Sequence, residues 1–272
     1  MNILENISAF QNLIYIAASI LFITGIKMLG KEDTAVKGNF LSALAMLIAV
    51  VITFLDPDVQ VNPYLILAGI GVGATVGSLI ALKVKMTSIP EMVALFNGFG
   101  GLATFFIAWS EFNSVPDNTF QYVLIMLTTY IGGVTFSGSI VAYGKLSEKL
   151  KIQKTSIITK FFTTIFYVSI IYLIYSILIA NIFIPPFDFF IVLLALTLLG
   201  GIGFVIPIGG GVMPVVISLL NSFSGIAAAF AGLLLLNNVL IVAGSLVGAS
   251  GLILTVIMAK AMNRSIGNIL FV

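Results

Sequence analysis

The sequence predicts an all-α membrane protein, a polytopic bundle of about nine transmembrane helices. Composition is the first observation: 60% of the 272 residues are hydrophobic and only 8% are charged, with a mean hydropathy of +1.21. A soluble domain carries about 25% charged residues. Apolar runs long enough to cross a bilayer are the second observation. These runs are apolar on all sides, which excludes the alternating pattern of barrel strands.

Nine runs reach the roughly 20 residues that a bilayer-spanning helix requires. The predicted spans are residues 8–29, 38–55, 64–83, 91–110, 119–142, 160–181, 187–206, 212–236 and 238–261. The weakest boundary lies between the last two, where only Asn237 and Asn238 interrupt the apolar stretch. Because the connections are short, we expect a single transmembrane domain over residues 1–272. The longest connection, residues 143–159, is typical of a solvated basic loop, with a short amphipathic surface helix as the alternative.

The basic residues predict the orientation, since lysines and arginines near span ends stay in the cytoplasm. All of them fall in alternate connections or after the last span: Lys27, Lys31, Lys37, Lys83, Lys85, Lys145, Lys149, Lys151, Lys154, Lys160, Lys260 and Arg264. The opposite connections carry acidic residues and no basic ones. We therefore expect the N-terminus outside and the C-terminus in the cytoplasm.

The composition also excludes several kinds of chemistry. The sequence has no cysteine and no histidine, so thiolate nucleophiles, cysteine zinc sites and imidazole proton transfer are excluded. We expect no metal site and no catalytic residue. A net charge of +2 is too small for a nucleic-acid-binding surface.

Polar residues at membrane depth are few, and three of them are candidates for a hydrated path. Asn97, Asn221 and Ser250 lie at similar depth in the predicted spans. The alternative is that they only hydrogen-bond between helices, which is common in membrane proteins. Glu91 is the ionisable residue nearest to them, and Ser88 with Glu91 forms the pattern of a capping box. A structural role for Glu91 is therefore the alternative to a proton-carrying one.

Glycines at four-residue spacing predict close helix packing. They are Gly69, Gly73 and Gly77 in the third span, and Gly244 and Gly248 in the ninth. Two further runs, residues 200–203 and 209–211, flank the seventh connection. No Lys-Ser/Thr pair follows them, so we expect a tight turn rather than a phosphate-binding loop.

Three motifs carry a resemblance to a known family: IPEMVALFNG within residues 85–98, GGVTFSGS with YGKL within residues 132–146, and MPVVISLLNSFSG within residues 207–225. Residues 244–251 and 260–265 extend the match. Together they resemble the membrane domain of the beta subunit of proton-translocating NAD(P) transhydrogenase. The resemblance runs over nearly the whole chain.

The resemblance implies a complex that couples hydride transfer between NADH and NADP to inward proton movement. Separate soluble domains would bind NAD(H) and NADP(H), and the membrane domain would translocate the proton. An alpha subunit would supply the NAD-binding domain and extra membrane helices, and two complexes would form a dimer in a bacterial-type cytoplasmic membrane. Because the sequence ends at Val272, we expect this chain to lack the NADP-binding domain, to bind no cofactor and to contain no hydride-transfer site.

The same resemblance assigns roles to single residues. Many members carry histidine at the position of Asn97 and aspartate at that of Val212, whereas Asn221, Ser250 and Gly251 match the family's polar path. Gly244, Gly248 and Gly251 would pack helices and take part in coupling. Two other functions stay open: a stand-alone carrier or channel, and a non-conducting membrane anchor. Nine spans do not divide into the two equal halves that many carriers show.

Overall fold

The computed structural model describes residues 3–55, 62–114, 118–150, 156–180 and 186–270. Within these ranges the chain is helical without strands, and nine helices are long and apolar enough to cross a membrane. They are α1 (Ile3–Leu29), α2 (Glu32–Phe54), α3 (Pro63–Lys83), α4 (Ile89–Asn113), α5 (Thr119–Leu146), α6 (Ile157–Ala180), α7 (Phe187–Val205), α8 (Met213–Leu234) and α9 (Asn238–Ala261), followed by the short α10 (Ile266–Leu270). The predicted all-α polytopic architecture is confirmed.

Several helices extend beyond the predicted spans into charged sequence, among them α2 and α5. α2 already begins at Glu32, because Glu32 and Asp33 place negative charge in the first turn, where the helix dipole favours it. α5 continues to Leu146 and ends in a turn at Glu148, whose φ is 56°. Residues 147–150 are not helical, and residues 151–155, where the amphipathic helix was the alternative, lie outside the described part of the chain.

The break between α8 and α9 falls at the weakest predicted boundary. Leu236 adopts a left-handed conformation with φ 53°, and the Asn237 N–H donates to the carbonyl of Gly232 at 2.8 Å. This bond from the second residue after the cap to the third-last helical residue is that of a Schellman motif. A helix-ending motif therefore separates two spans that hydropathy alone hardly distinguishes.

The helices form two compact units, the first comprising residues 1–83 and 238–243. In this unit Gly25 of α1 and Gly38 of α2 meet backbone to backbone, and the hydroxyls of Tyr15 and Thr53 lie 2.8 Å apart. α3 has no buried residue among those described. A Cβ added at Gly69, Gly73 or Gly77 would meet nothing within 4 Å among the described residues. The close packing predicted for these glycines is therefore not formed within the described part of the chain.

The second unit comprises residues 84–237 and 244–272, with α5 as its most buried helix. Gly132 of α5 lies against the carbonyl of Gly101 on α4, and Gly201 of α7 lies against Val134 and Ser137 of α5. Residues 200–203 are thus part of α7, so the turn predicted there is wrong. A four-residue glycine-rich stretch serves helix contact here, because a glycine lets two backbones approach closely.

An internal repeat relates two segments of the second unit. Residues 86–88 form a 3₁₀ turn that leads into α4, and residues 210–212 form one that leads into α8, at a constant offset of 124 residues. The residues before α4 and α8, Ser88 and Val212, have nearly the same backbone angles (φ −100°, ψ 7° and φ −106°, ψ 7°). Each helix has a proline in its first turn. Sequence and geometry therefore repeat together.

The repeat places equivalent residues along the two helices. The equivalent pairs are Pro90 and Pro214, Asn97 and Asn221, Phe99 and Phe223, and Gly101 and Gly225. The partner helices are contacted in the same way: Gly101 and Gly132 of α5 lie against each other's carbonyls, as do Gly225 and Gly244 of α9. The hairpins α4–α5 and α8–α9 are therefore equivalent. A search for two equal halves among the nine spans does not detect this repeat, because the repeat comprises only four helices.

Candidate functional site

Asn97 joins three helices of the second unit. Its side-chain amide donates from Nδ2 to the hydroxyl of Ser139 on α5 at 3.1 Å. Its Oδ1 accepts from the hydroxyl of Ser224 on α8 at 2.7 Å. Asn97 is half-buried and Ser139 is 1% exposed. The amide is thus held on both sides by hydroxyls at about 12 Å from the start of α4.

Asn221 lies beside this cluster on α8. Its backbone carbonyl is 2.8 Å from the same Ser224 hydroxyl, and its side chain is half-buried. Asn221 is eight residues from the start of α8, as Asn97 is from the start of α4, so both amides lie about 12 Å along their helices. The structure therefore brings the Asn97 side chain and the Asn221 backbone carbonyl to one hydroxyl, that of Ser224.

Ser250, the third predicted path residue, is placed differently. It is exposed on α9, and its hydroxyl donates to the carbonyl of Val247 in its own helix at 3.0 Å. The structure thus does not bring Ser250 together with the two asparagines, and its place in a polar path stays a prediction. Depth along a helix was readable from the sequence, but the direction of the side chain around an apolar helix was not.

Glu91 and Ser88 do not form the expected capping box. The Ser88 side chain makes no capping hydrogen bond. A capping residue normally has an extended backbone, whereas Ser88 ends the 3₁₀ turn that runs directly into α4. Half-buried Glu91 instead places its charge in the first turn of α4, about 9 Å along the axis from Asn97.

The three glycines assigned to helix packing lie along the contact of α9 with α8. A Cβ on Gly244 would meet the backbone of Ala229, and one on Gly251 would lie 2.8 Å from the Ser222 backbone nitrogen. Gly248 is approached by Ile226 at 3.1 Å. Two hydroxyls of α8 donate across the same contact: Ser222 to the Gly248 carbonyl at 2.6 Å and Ser218 to the Gly251 carbonyl at 3.2 Å.

Lys145 has a role that the sequence analysis did not find. Its ammonium donates to the carbonyls of Val205 at 3.2 Å, Ile206, and Ile208 at 2.6 Å, where α7 ends. The last carbonyls of a helix lack partners within it and attract a cation. Val205, Ile206 and Ile208 are all buried, so this ammonium compensates polar groups that water does not reach. In the sequence analysis, Lys145 served only as one of the basic residues that predict the orientation of the chain.

The glycine turn beside Lys145 does not fit a nucleotide. Residues 209–211 have open space around them, and the next residue, Val212, is buried in an apolar cluster. The nearby ammonium of Lys145 points to backbone carbonyls, as described above. A phosphate-binding loop needs a lysine and a hydroxyl directed to the ligand. Residues 209–212 together with Lys145 therefore do not form a phosphate-binding loop.

Side-chain amides and hydroxyls define what the cluster around Asn97 can do. Each group both donates and accepts hydrogen bonds, so the cluster can hold water and pass a proton along hydrogen bonds without itself titrating. Ser139 and Ser224 belong to motifs noted in the sequence but had received no role. One sequence signal could have pointed to this cluster: proline precedes asparagine by seven residues both in α4 and in α8.

These features define a polytopic helical membrane protein with a small polar site between its helices. The family model for the NAD(P) transhydrogenase beta subunit matches residues 11–272. The chain therefore belongs to the NAD(P) transhydrogenase beta subunit family.

Two curated relatives agree with this assignment. The chain is similar to the NAD(P) transhydrogenase subunit beta of Rhodospirillum rubrum and to the subunit of the same name from a designated strain of that species, each 37% identical over 265 residues. Each match covers 94% of this chain and 56% of the relative. The chain thus spans little more than half the length of these relatives.

Proposed function

We propose that this chain is the proton-translocating membrane portion of an NAD(P) transhydrogenase. It would pass protons while separate soluble domains transfer hydride between NADH and NADP. The observation that carries the proposal is the hydrogen-bonded cluster of Asn97, Ser139 and Ser224, which joins three helices in the region matched by the family model. Charged residues inside membranes usually mark ion pathways, but this cluster contains none.

The proton path would be hydrated by this cluster together with Asn221. Because amides and hydroxyls do not titrate near neutral pH, water carries the proton, and the group that changes protonation state lies elsewhere. Glu91, about 9 Å from Asn97 towards the start of α4, is one candidate. A residue on the membrane helices of a partner subunit is the other. Ser250 would belong to the path only where a partner helix covers its exposed side.

The assembled protein would include an alpha subunit with the NAD-binding domain, an NADP-binding domain, and a second copy of the complex. Nucleotides would bind to those domains and not to this chain. A bacterial-type cytoplasmic membrane is the proposed location. The name of the curated relatives, a subunit beta, supports an alpha partner.

The decisive experiment purifies the tagged chain in mild detergent from its own host with its partners. We expect nucleotide-binding subunits to copurify, and NADPH to drive reduction of an NAD analogue. After reconstitution into vesicles, the rate of this reaction should depend on the proton gradient. Absence of both the activity and the partners would contradict the proposal and favour a stand-alone carrier or a membrane anchor.

The proposed orientation is tested with cysteines, since the sequence has none of its own. A Lys149→Cys variant is expected to react with an impermeant maleimide only from the cytoplasmic side, and Ser114→Cys only from outside. Both positions are exposed in the structure, and they follow the C-terminal ends of successive helices, α4 and α5, which the proposed orientation places on opposite sides of the membrane. Labelling of both from one side would contradict the helix count, and exchanged sides would reverse the orientation.

A further inference from the structure

A cavity of about 130 Å³ lies between α6, the end of α7 and α10 in the second unit. Gly203 of α7 lies against the carbonyl of Phe162 on α6. The rings of Phe166 on α6 and Phe204 on α7 pack with their centroids 5.3 Å apart. These contacts hold α6 and α7 together on one side of the cavity. Its lining also includes Thr163, Tyr167, Ile170 and Leu270.

The cavity opens to the surface of the second unit at the depth of one leaflet. Tyr167, which lines it, is 49% exposed. Thr163 and Ile170 follow the start of α6 by six and thirteen residues, about 9 and 20 Å along the helix. A bilayer with its polar surfaces is about 40–45 Å thick, so these residues span one leaflet. Apolar cavities of about 150 Å³ exclude water and bind hydrocarbon molecules, so this cavity fits part of an acyl chain.

A lysine lies at the outer end of the same helix face. Lys160, Thr163, Tyr167 and Ile170 are spaced by three and four residues, which places them on one face of α6. Lys160 is exposed, and no carboxylate pairs with it in the described part of the chain. It belongs to the first turn of α6, where free backbone N–H groups add partial positive charge. A cation above an apolar cavity is complementary to a phospholipid with an anionic head group.

The hydroxyl of Thr163 lies between the lysine and the apolar part of this face. It is buried and has no hydrogen-bond partner among the described residues. Thr164, in contrast, donates to the Lys160 carbonyl at 2.9 Å, as hydroxyls in helices commonly do. A buried hydroxyl without a partner costs free energy. Threonine populates two rotamers in helices, so rotation about χ1 directs this hydroxyl to an acceptor in the cavity, such as the ester carbonyl of a lipid.

We infer that this cavity binds one acyl chain of an anionic phospholipid, with the phosphate at Lys160 and the ester carbonyl at Thr163. The inference does not depend on the proposed function, since it needs only a membrane-spanning chain. Pro207 lines the same cavity, and the carbonyls on either side of it, those of Ile206 and Ile208, bind the ammonium of Lys145. The lipid therefore packs against the connection between α7 and α8 and stabilises it.

Other occupants match these features less well. A helix with its side chains is about 10 Å wide, so at most one side chain of a partner helix would enter a cavity of about 130 Å³. Inorganic phosphate would pair with Lys160 but leave the apolar lining without a partner. A phospholipid satisfies the cation, the hydroxyl and the apolar lining together.

The test uses the assembled complex in phosphatidylcholine vesicles that contain a minor fraction of phosphatidylglycerol with a diazirine near the end of one acyl chain. After illumination we expect cross-links on the peptides that contain Ile170, Phe204 and Leu270. Unlabelled phosphatidylglycerol should compete, and inorganic phosphate should not. Equal cross-linking by phosphatidylcholine with the same diazirine chain would show bulk lipid only and overturn the inference. Cross-links on a partner subunit with none on these peptides would overturn it as well.

Two substitutions separate the head-group and acyl-chain contacts. Lys160→Gln is expected to lower the preference for phosphatidylglycerol over phosphatidylcholine about fivefold. Its control is Lys83→Gln, which removes the same charge from an exposed lysine in the last turn of α3. An equal preference in both variants would contradict a phosphate at Lys160.

Ile170→Trp should fill the cavity and abolish the cross-links on α7 and α10. Ile171→Trp is the matched control, because Ile171 is the next residue of the same helix, is 66% exposed and does not line the cavity. Thr163→Val keeps the shape of the side chain and removes the hydroxyl, so it should weaken phosphatidylglycerol binding about fivefold. Equal cross-linking of Ile170→Trp and Ile171→Trp would overturn the inference.

Discussion

Replacing Asn97 with leucine is expected to lower coupled proton movement at least about tenfold. The amide joins Ser139 of α5 to Ser224 of α8, and leucine keeps its bulk but makes neither hydrogen bond. Each lost bond contributes about 1 kcal/mol, and each 1.4 kcal/mol is about tenfold in rate. Two hydroxyls also lose the partner that orients them, so water would no longer be held between three helices. The measurement is proton uptake by vesicles containing the assembled complex during NADPH-driven reduction of an NAD analogue.

The control for this prediction is Asn113→Leu. Asn113 is the last residue of the same helix and is exposed, so the substitution changes the same residue type without touching the cluster. Proton movement by the control should equal that of the wild type. Unchanged proton movement in Asn97→Leu, with normal assembly, would contradict a role for Asn97 in the path. Asn97 would then only hydrogen-bond between helices.

The location and number of the helices were predictable because charge and hydropathy decide them. A lysine or aspartate costs free energy in the bilayer core, so span ends coincide with charged residues such as Lys83 and Asp188. Helix ends were less predictable. α5 passes four residues beyond its predicted span, since Lys145 finds carbonyl partners at the end of α7 and need not leave the bundle.

Side-chain direction was the property that the sequence did not reveal. In an amphipathic helix the apolar residues show which face is buried. These helices are apolar on all faces, so their sequences do not show it. The depth of Ser250 was therefore readable while its exposure was not. Asn97 and Asn221 could be selected because burying an amide requires partners. The partners of the Asn97 amide, Ser139 and Ser224, could be found only in the structure.

Glycine spacing predicted close packing without saying where the partner is. Gly244 and Gly248 meet α8, whereas a Cβ added at the glycines of α3 would meet nothing within 4 Å in the described part of the chain. The spacing is the same in both helices, so the difference lies in the surroundings and not in the pattern. A row of glycines at four-residue spacing thus indicates how closely another helix can approach, but not whether one does. Glycine-to-alanine substitutions at the α8–α9 contact and in α3 can therefore be compared directly.

A Gly225→Ala substitution is expected to lower the apparent melting temperature of the detergent-solubilised chain by about 2–12 °C. The added methyl group would meet the Gly248 nitrogen, and it would lie 2.8 Å from the Gly248 Cα and 2.9 Å from the Gly244 carbonyl. All three are backbone atoms, which cannot rotate away as a side chain can. Overpacking of this kind costs about 1–3 kcal/mol.

Separation of α8 from α9 would also stretch the bonds from Ser222 to Gly248 and from Ser218 to Gly251. Gly73→Ala on α3 is the control, because a methyl group there meets nothing within 4 Å. Alanine favours a helix by about 1 kcal/mol over glycine, so the control should melt at the wild-type temperature or above it. Equal melting of both variants would show that α8 and α9 are not held at the distance seen here, and the equivalence of the two hairpins would lose its structural basis.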